Sequence, residues 1–268
     1  MTDSFPLLLR EHRVRRRWSQ EHLALAADVS TRHLSCLENG KARPSREMVL
    51  ALAAVLGLEL RERNTLLVST GFAAVYPTSP LDDVAMAPVN RAIELLLAQQ
   101  EPYGAVVIDR CWNVLRANEG ARQLFAAFLP ASTVPPAIAA NLVRATLHPE
   151  GLRPHIVNWN ELVAVMLERL ERAHHAHPGD EQRRSLLAEV RSYPEVQRLA
   201  RTVPSGGAPV AVLHLRRGAD ELRLFTLLTT VGTPIDVTAE ELTIESFFPA
   251  DEATALWFRS RRLRGGHE

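Results

Sequence analysis

Thr31, Arg32, Ser35 and Asn39 are the first residues whose types and spacing suggest chemistry. Positions four apart share one face of a helix, so these side chains form a strip of donors and acceptors. That set suits hydrogen bonding to the edges of bases, where an arginine grips guanine O6 and N7 with two bonds. The strip lies in a basic stretch. Residues 10–46 carry nine Arg or Lys and four Asp or Glu, whereas the whole chain balances 31 cations against 31 anions. Local positive charge on a neutral chain implies a polyanionic partner for that segment alone. Arg17, Lys41 and Arg43 belong to it. Lys41 is the only lysine, so the preference for arginine follows the composition of the whole chain and says little about phosphate.

Chemistry further along is less sharply marked. Trp112, Phe125, Phe128, Trp159, Val163, Leu167, Leu213, Phe225 and Leu227 are large and apolar enough to line a cavity, although the same residue types fill ordinary cores. Arg144 and His148 are of the types that can hold a carboxylate head group, although solvated or capping roles are the first expectation for both. His174, His175 and His177, with His148 and His155 upstream, suggest metal ligation. They stand at a helix end before Pro178-Gly179, where histidines also favour the helix dipole, and no metal is expected. Cys36 and Cys111 are too few for a disulfide framework. No Gly-rich phosphate loop, Gly-x-Ser-x-Gly or His-Glu-x-x-His occurs, and Asp82-Asp83 and Glu240-Glu241 are adjacent pairs that point apart. An enzyme is therefore not the expectation. No apolar run approaches the roughly 20 residues that span a bilayer. The N-terminal apolar residues are too few for a signal-peptide core and precede the charges. A cytoplasmic protein without a membrane partner is expected.

The basic face needs helices to hold it. Residues 5–17 read as a helix. Ser19 caps a second helix to Ala27, Asp28-Val29-Ser30 turn the chain, and Ser30 caps a third from Thr31 to Asn39. Gly40 stops it. Helices follow over 46–56, behind Ser45, and over 60–69. Prolines 77, 80 and 88 mark a boundary. The expected organisation is an all-α five-helix domain over 1–75, a linker over 76–88, and an α+β domain over 89–268. In the latter, a helix over 89–100 precedes strands at 105–109 and 113–117 and a helix over 119–129. Helices over 159–175 and 181–192, a shorter helix from Glu195, and a hairpin of 210–216 with 222–230 come next. A strand at 242–247 and a helix over 250–263 end the chain.

Two short helices joined by a tight turn can set the second into the major groove. The run Ser19-Gln-Glu-His-Leu-Ala … Val29-Ser30 … Leu34-Ser-Cys-Leu-Glu-Asn-Gly40 resembles the phage-repressor-like (XRE) helix-turn-helix family over residues 5–71. The resemblance implies double-stranded DNA as partner. It implies that Gln20 touches backbone and braces the third helix, that Thr31 and Arg32 read bases with Ser35 one turn on, and that Asn39, Lys41 and Arg43 meet phosphates. Glu38 would be a structural acid. Beyond the linker, Pro102-Tyr103 … Val107-Ile-Asp109-Arg-x-Trp112-Asn-Val … Asn118 and Leu147-His-Pro-Glu-Gly-Leu152 resemble the C-terminal ligand-binding domain of MmyB-like transcription regulators. That implies a PAS-like fold, an antiparallel sheet with helices over one face, and a small apolar ligand of the fatty-acid kind; a homodimer formed through this domain is expected besides. Beyond that ligand, no cofactor is expected. A ligand-free dimerisation or protein-interaction module, or an enzyme, are the competing readings of the second domain.

Overall fold

A computed structural model describes residues 4–129, 134–199 and 210–265, with side chains as far as Arg261. The chain divides into two compact units. One combines Met1–Met86 with Gly232–Glu240, and the other combines Ala87–Val231 with Glu241–Glu268. Among the described residues no helix is long and apolar enough to cross a membrane.

The first unit holds α1 (Phe5–Arg15), α2 (Gln20–Ala26), α3 (Thr31–Glu38), α4 (Arg46–Val55) and α5 (Leu60–Ser69). The serines predicted as caps do cap. Ser19, Ser30 and Ser45 accept from the backbone N–H of His22, His33 and Met48 at 3.0, 3.1 and 3.2 Å. Each satisfies one of the orphan donors of a helix start. Phe5, Leu9, Leu23, Leu34, Leu37, Leu52 and Leu66 form a buried core at helical spacing. The stretch after α5 is tied down rather than loose. Asn64 Oδ1 accepts from the N–H groups of Val75 and Tyr76 at 3.0 and 3.1 Å, and its Nδ2 donates to the Tyr76 carbonyl at 2.7 Å. Residues 232–240 complete the unit from far along the sequence. Val237 N–H donates to the Pro77 carbonyl at 2.8 Å, Asp236 Oδ2 accepts from Ser79 N–H at 3.1 Å, and Glu240 Oε2 accepts from Leu60 N–H at 2.6 Å. Glu240 thus sits where a carboxylate favours the N-terminus of α5.

The second unit runs α6 (Ala87–Gln99), β1 (Ala105–Ile108), β2 (Val114–Ala117), α7 (Glu119–Phe128), α8 (Pro136–Ala139), α9 (Leu142–Leu147), α10 (Trp159–Ala176), α11 (Glu181–Ser192), α12 (Pro194–Gln197), β3 (Leu213–Arg217) and β4 (Asp220–Thr230). The short α13 (Val237–Glu241) lies in the β4–β5 connection, and β5 (Thr243–Pro249) and α14 (Glu252–Gly265) close it. The five strands form one antiparallel sheet in the order β2-β1-β5-β4-β3. The expected all-α domain followed by an α+β domain with an antiparallel sheet is what is found.

Strand alternation sends Val106, Ile108, Leu224 and Phe247 to the main core with Leu124, Phe128, Val163 and Phe258. Leu227, Ile244 and Phe248 take the opposite face, where they border a groove with Leu96 and Gln99 of α6 and Gln100 just after it. Helices covering one face only, as expected, is therefore corrected: α6 lies on the other, and Gln100 Nε2 donates to the Phe247 carbonyl at 2.9 Å. Asn118, quoted in the resemblance, is a structural hub. Its Oδ1 accepts from Ala105 and Ala121 N–H at 2.8 and 2.9 Å, and its Nδ2 donates to the Tyr103 carbonyl at 2.8 Å.

Candidate functional site

In the first unit one buried carboxylate ties α3 to α1 and α2. Arg13 of α1 donates from Nε and Nη2 to Glu38 Oε1 and Oε2 at 2.6 and 2.8 Å, and Gln20 Nε2 of α2 donates to Oε2 at 2.7 Å. The Glu38 side chain is 2% exposed. Three helices are thereby joined at a single acid, with Gln20 turned inward onto α3. Burial pushes the Glu38 carboxyl up, but the Arg13 and Gln20 hydrogen bonds outweigh it and hold the group below its ordinary range. The same pair raises Arg13.

The sign of the pH dependence follows. A carboxyl whose folded value is depressed adds stability that is complete above the ordinary carboxylate range and lost as pH falls through the depressed value. Urea unfolding of the first unit stepped down from pH 7 should show falling stability below that range, and Glu38→Gln should flatten the fall. An unchanged acid limb in Glu38→Gln would remove this carboxylate from the account.

On the outside of α3, Thr31 and Arg32 are exposed and Ser35 is half-buried. Asn39 folds back, its Nδ2 donating to the Ser35 carbonyl at 2.7 Å and to Ser35 Oγ at 3.3 Å. Arg17 is exposed and has left-handed backbone (φ 58°) at the end of α1. Among the described residues Arg17, Arg32, Lys41 and Arg43 form no ion pair. Arg13 and Arg15, by contrast, are taken up by Glu38 and by Glu11 and Glu62. The cations thus sort into a structural set and a set of solvent-facing charges around α3.

The second unit holds a partly open cavity of about 110 Å³ between the sheet and α7, α9 and α10. Of the predicted lining residues, Trp112, Phe125, Leu213 and Phe225 border it. Phe128, Trp159 and Val163 do not; they are buried in the core. Leu167 is half-buried and packs against that core. Leu227 borders the groove on the far face of the sheet and is 52% exposed. Arg144 and His148 are also elsewhere. Arg144 is held by Glu189 at 2.9 Å (Nε) and 2.7 Å (Nη2), Tyr193 donates its hydroxyl to Glu189 at 2.7 Å, and the His148 ring stacks edge-on against Tyr193. The Arg144 hydrogen bond is the main force keeping the Glu189 carboxyl below its ordinary range. These groups bind one another and do not border the cavity.

Sequence reasoning missed several cavity residues. Leu162, Val165, Met166 and Arg169 of α10 border it, as do Thr146 of α9 and Glu245 of β5. The signal was there, since 162, 165, 166 and 169 are one helical stripe broken by a charge. Arg169 Nη1 and Nη2 both donate to Glu245 Oε2 at 3.1 Å, and the Glu245 side chain is 7% exposed. The guanidinium also lies 5.8 Å from the Trp112 ring centroid. Trp112 itself has φ 61°, a costly conformation for a bulky residue that persists only where its surroundings impose it. Asp109 Oδ1 accepts from Cys111 and Asn113 N–H at 2.8 and 2.9 Å, while the Trp112 carbonyl accepts from Leu142 N–H at 2.8 Å. The turn is clamped on both sides, and the indole is held at the cavity wall.

Among the described residues no three His, Cys, Asp or Glu are grouped to hold a metal ion. His174 and His175 stand at the end of α10 with ring centroids 5.9 Å apart.

The helix-turn-helix family model matches residues 9–63. The family model described as the MmyB-like transcription regulator ligand binding domain matches residues 89–260. A search among curated proteins finds no match. The second match covers more than half of the chain, so the chain belongs to the MmyB-like transcription regulators: a DNA-binding regulator with a helix-turn-helix followed by a ligand-binding domain.

Proposed function

We propose that this chain is a sequence-specific regulator whose α3 enters the major groove, with Thr31, Arg32 and Ser35 reading bases, Arg17, Lys41 and Arg43 meeting phosphates, and Gln20 and Asn39 bracing α3 through Glu38 and Ser35. The observation that carries this is the sorting of charges in the first unit. Cations that could have been structural are paired inside, and those around α3 are unpaired toward solvent. In this reading the second unit takes a small apolar ligand, of the fatty-acid kind that the resemblance implies, and pairs two chains. Two-fold pairing matches half-sites about one helical turn apart. The ligand regulates by binding one state of the dimer better than the other.

The test begins with selection of an operator from random duplexes. Arg32→Ala should then cost about 1–3 kcal/mol of binding and relax the preference at one base position, whereas Lys41→Ala should weaken all sequences alike and lower the salt slope by about one. An Arg32→Ala protein that binds its operator as tightly and as selectively as the parent would overturn the assignment. Native mass spectrometry of the purified chain tests the rest, because a retained ligand adds mass that denaturation removes.

A further inference from the structure

Strands β4 and β5 pair down to Thr230 and Thr243, and they supply Phe225, Thr226, Glu245 and Phe247 to the cavity wall. Between them the chain leaves the sheet, and residues 232–240 complete the first unit. Resting on the reading that the second unit takes a regulatory ligand, in this cavity, and that the first unit reads DNA, we infer that the β4–β5 connection relays occupancy of the cavity to the first unit, with Glu240 as the coupling residue.

The connection is taut on one side only. Between Thr230 and Asp236, the first residue anchored in the first unit, five residues intervene; they include Gly232 and Ile235, the latter 79% exposed. Between Glu240 and Thr243 only Glu241 and Leu242 intervene, at most about 7 Å of extended chain, and Leu242 is 3% exposed. Thr243 pairs with Ile108 on one side and with Thr230 on the other. A shift of β5 therefore reaches Glu240, whereas the β4 arm has slack to absorb one. The last step is stiff, because Val237 to Glu241 form the single turn α13. Asp236 Oδ1 accepts from Thr238 and Ala239 N–H at 2.8 and 3.2 Å at the start of that turn, and Val237 is fully buried.

Two parts of the cavity wall lead to this point. Glu245 lies four residues beyond Glu241 on the taut arm. Trp112 stands on the clamped turn, and Arg110 of the same turn places Nε 3.6 Å from Glu241 Oε2 while also pairing with Asp180. At the other end, Glu240 Oε2 accepts from the N–H of Leu60, the first residue of α5, at 2.6 Å. Two residues on, Glu62 Oε1 accepts from Arg15 Nη1 at 3.0 Å, and Arg15 lies two residues before the exposed Arg17. Stiff elements joined by hydrogen bonds and ion pairs can carry coupling between distant sites, and they do so when ligand and DNA prefer different arrangements of them.

The experiment uses the full-length protein, decanoate as the probe and an operator selected from random duplexes. In the parent, saturating decanoate should change operator affinity by about five-fold or more, the usual size of such couplings. Glu240→Ala should abolish most of that change, while decanoate affinity (followed by tryptophan fluorescence) and operator affinity without decanoate stay as in the parent. Glu240→Gln keeps an oxygen for the Leu60 N–H and should retain most of it. Two glycines inserted after Gly232 lengthen the slack arm and should leave it intact. Hydrogen exchange of the parent without DNA gives a reading that no variant's folding can spoil: decanoate should alter the rate at the Leu60 amide several-fold and leave the Met48 amide, capped by Ser45, unchanged. Full coupling in Glu240→Ala, loss of coupling on insertion after Gly232, or an unaltered Leu60 amide in a parent whose operator affinity does respond, would overturn the relay and leave the ligand reading standing. A parent that does not bind decanoate, or binds it with no change in operator affinity, would remove the ligand reading and the relay with it.

Discussion

Arg13→Ala should lower the stability of the helix-turn-helix unit by about 3–5 kcal/mol, because it strands a buried carboxylate without its partner. Glu38 is 2% exposed and Arg13 11% exposed at the side chain, so water does not repair the loss. Gln20 alone remains on Glu38 Oε2. The reverse change, Glu38→Ala, strands the guanidinium instead, although Arg13 still donates from Nη1 to the Trp18 carbonyl at 2.7 Å. The double change Arg13→Met with Glu38→Leu should recover much of what either single change costs, since an apolar pair of similar volume often replaces a buried ion pair without penalty. Calorimetric unfolding of the full chain, with the two units resolved as separate transitions, gives all four values. Single variants that unfold like the parent would mean that the pair is not what joins α1 to α3.

Phe128→Ala should cost about 3–5 kcal/mol in the second unit, the usual range for deleting a buried aromatic ring. Phe128 is 1% exposed and lies within reach of Trp257 and His155, at centroid distances of 6.5 and 6.0 Å. Phe125, three residues earlier on α7, is half-buried and borders the cavity. Its ring already faces open volume, so truncation leaves fewer lost contacts and Phe125→Ala should cost less. The same calorimetry separates them. If Phe125→Ala proved the more damaging, the division between core and cavity wall on α7 would be reversed.

Much of the first unit was legible because its signals are local. Helix α5 runs over Leu60–Ser69 as expected, and each predicted serine cap accepts its bond. Helix α11 likewise follows its pattern from Glu181 to Ser192. Helix α9 was missed for a physical reason. Five of its six residues are buried, so it has no polar face to give a period, although its cap Asn141 accepts from Val143 and Arg144 N–H at 3.2 Å. On α10 the apolar positions 159, 163 and 167 were chosen over 162, 166 and 169. Both stripes are legible as helical, but only packing decides which one turns to the core and which to the cavity. On β4, Leu227 shares the parity of Phe225, so alternation alone sets the two on one face, yet only Phe225 borders the cavity. The Arg169–Glu245 pair joins residues far apart in sequence, and no local pattern announces it.

The contribution of residues 232–240 to the first unit sets an order of events during synthesis. Domains generally fold as they emerge, the N-terminal one first. Here the helices of the DNA-reading unit leave the ribosome early, but the N–H of Leu60 and that of Ser79 wait for the carboxylates of Glu240 and Asp236. Those arrive only after β4 has been made and just before β5, the strand that joins β1 to β4. The helix-turn-helix unit and the sheet of the second unit are thus completed within a few residues of each other. A nascent chain halted anywhere before residue 240 carries neither in finished form, and a fragment cut after residue 86 keeps the α1–α5 core while lacking the acids that close it.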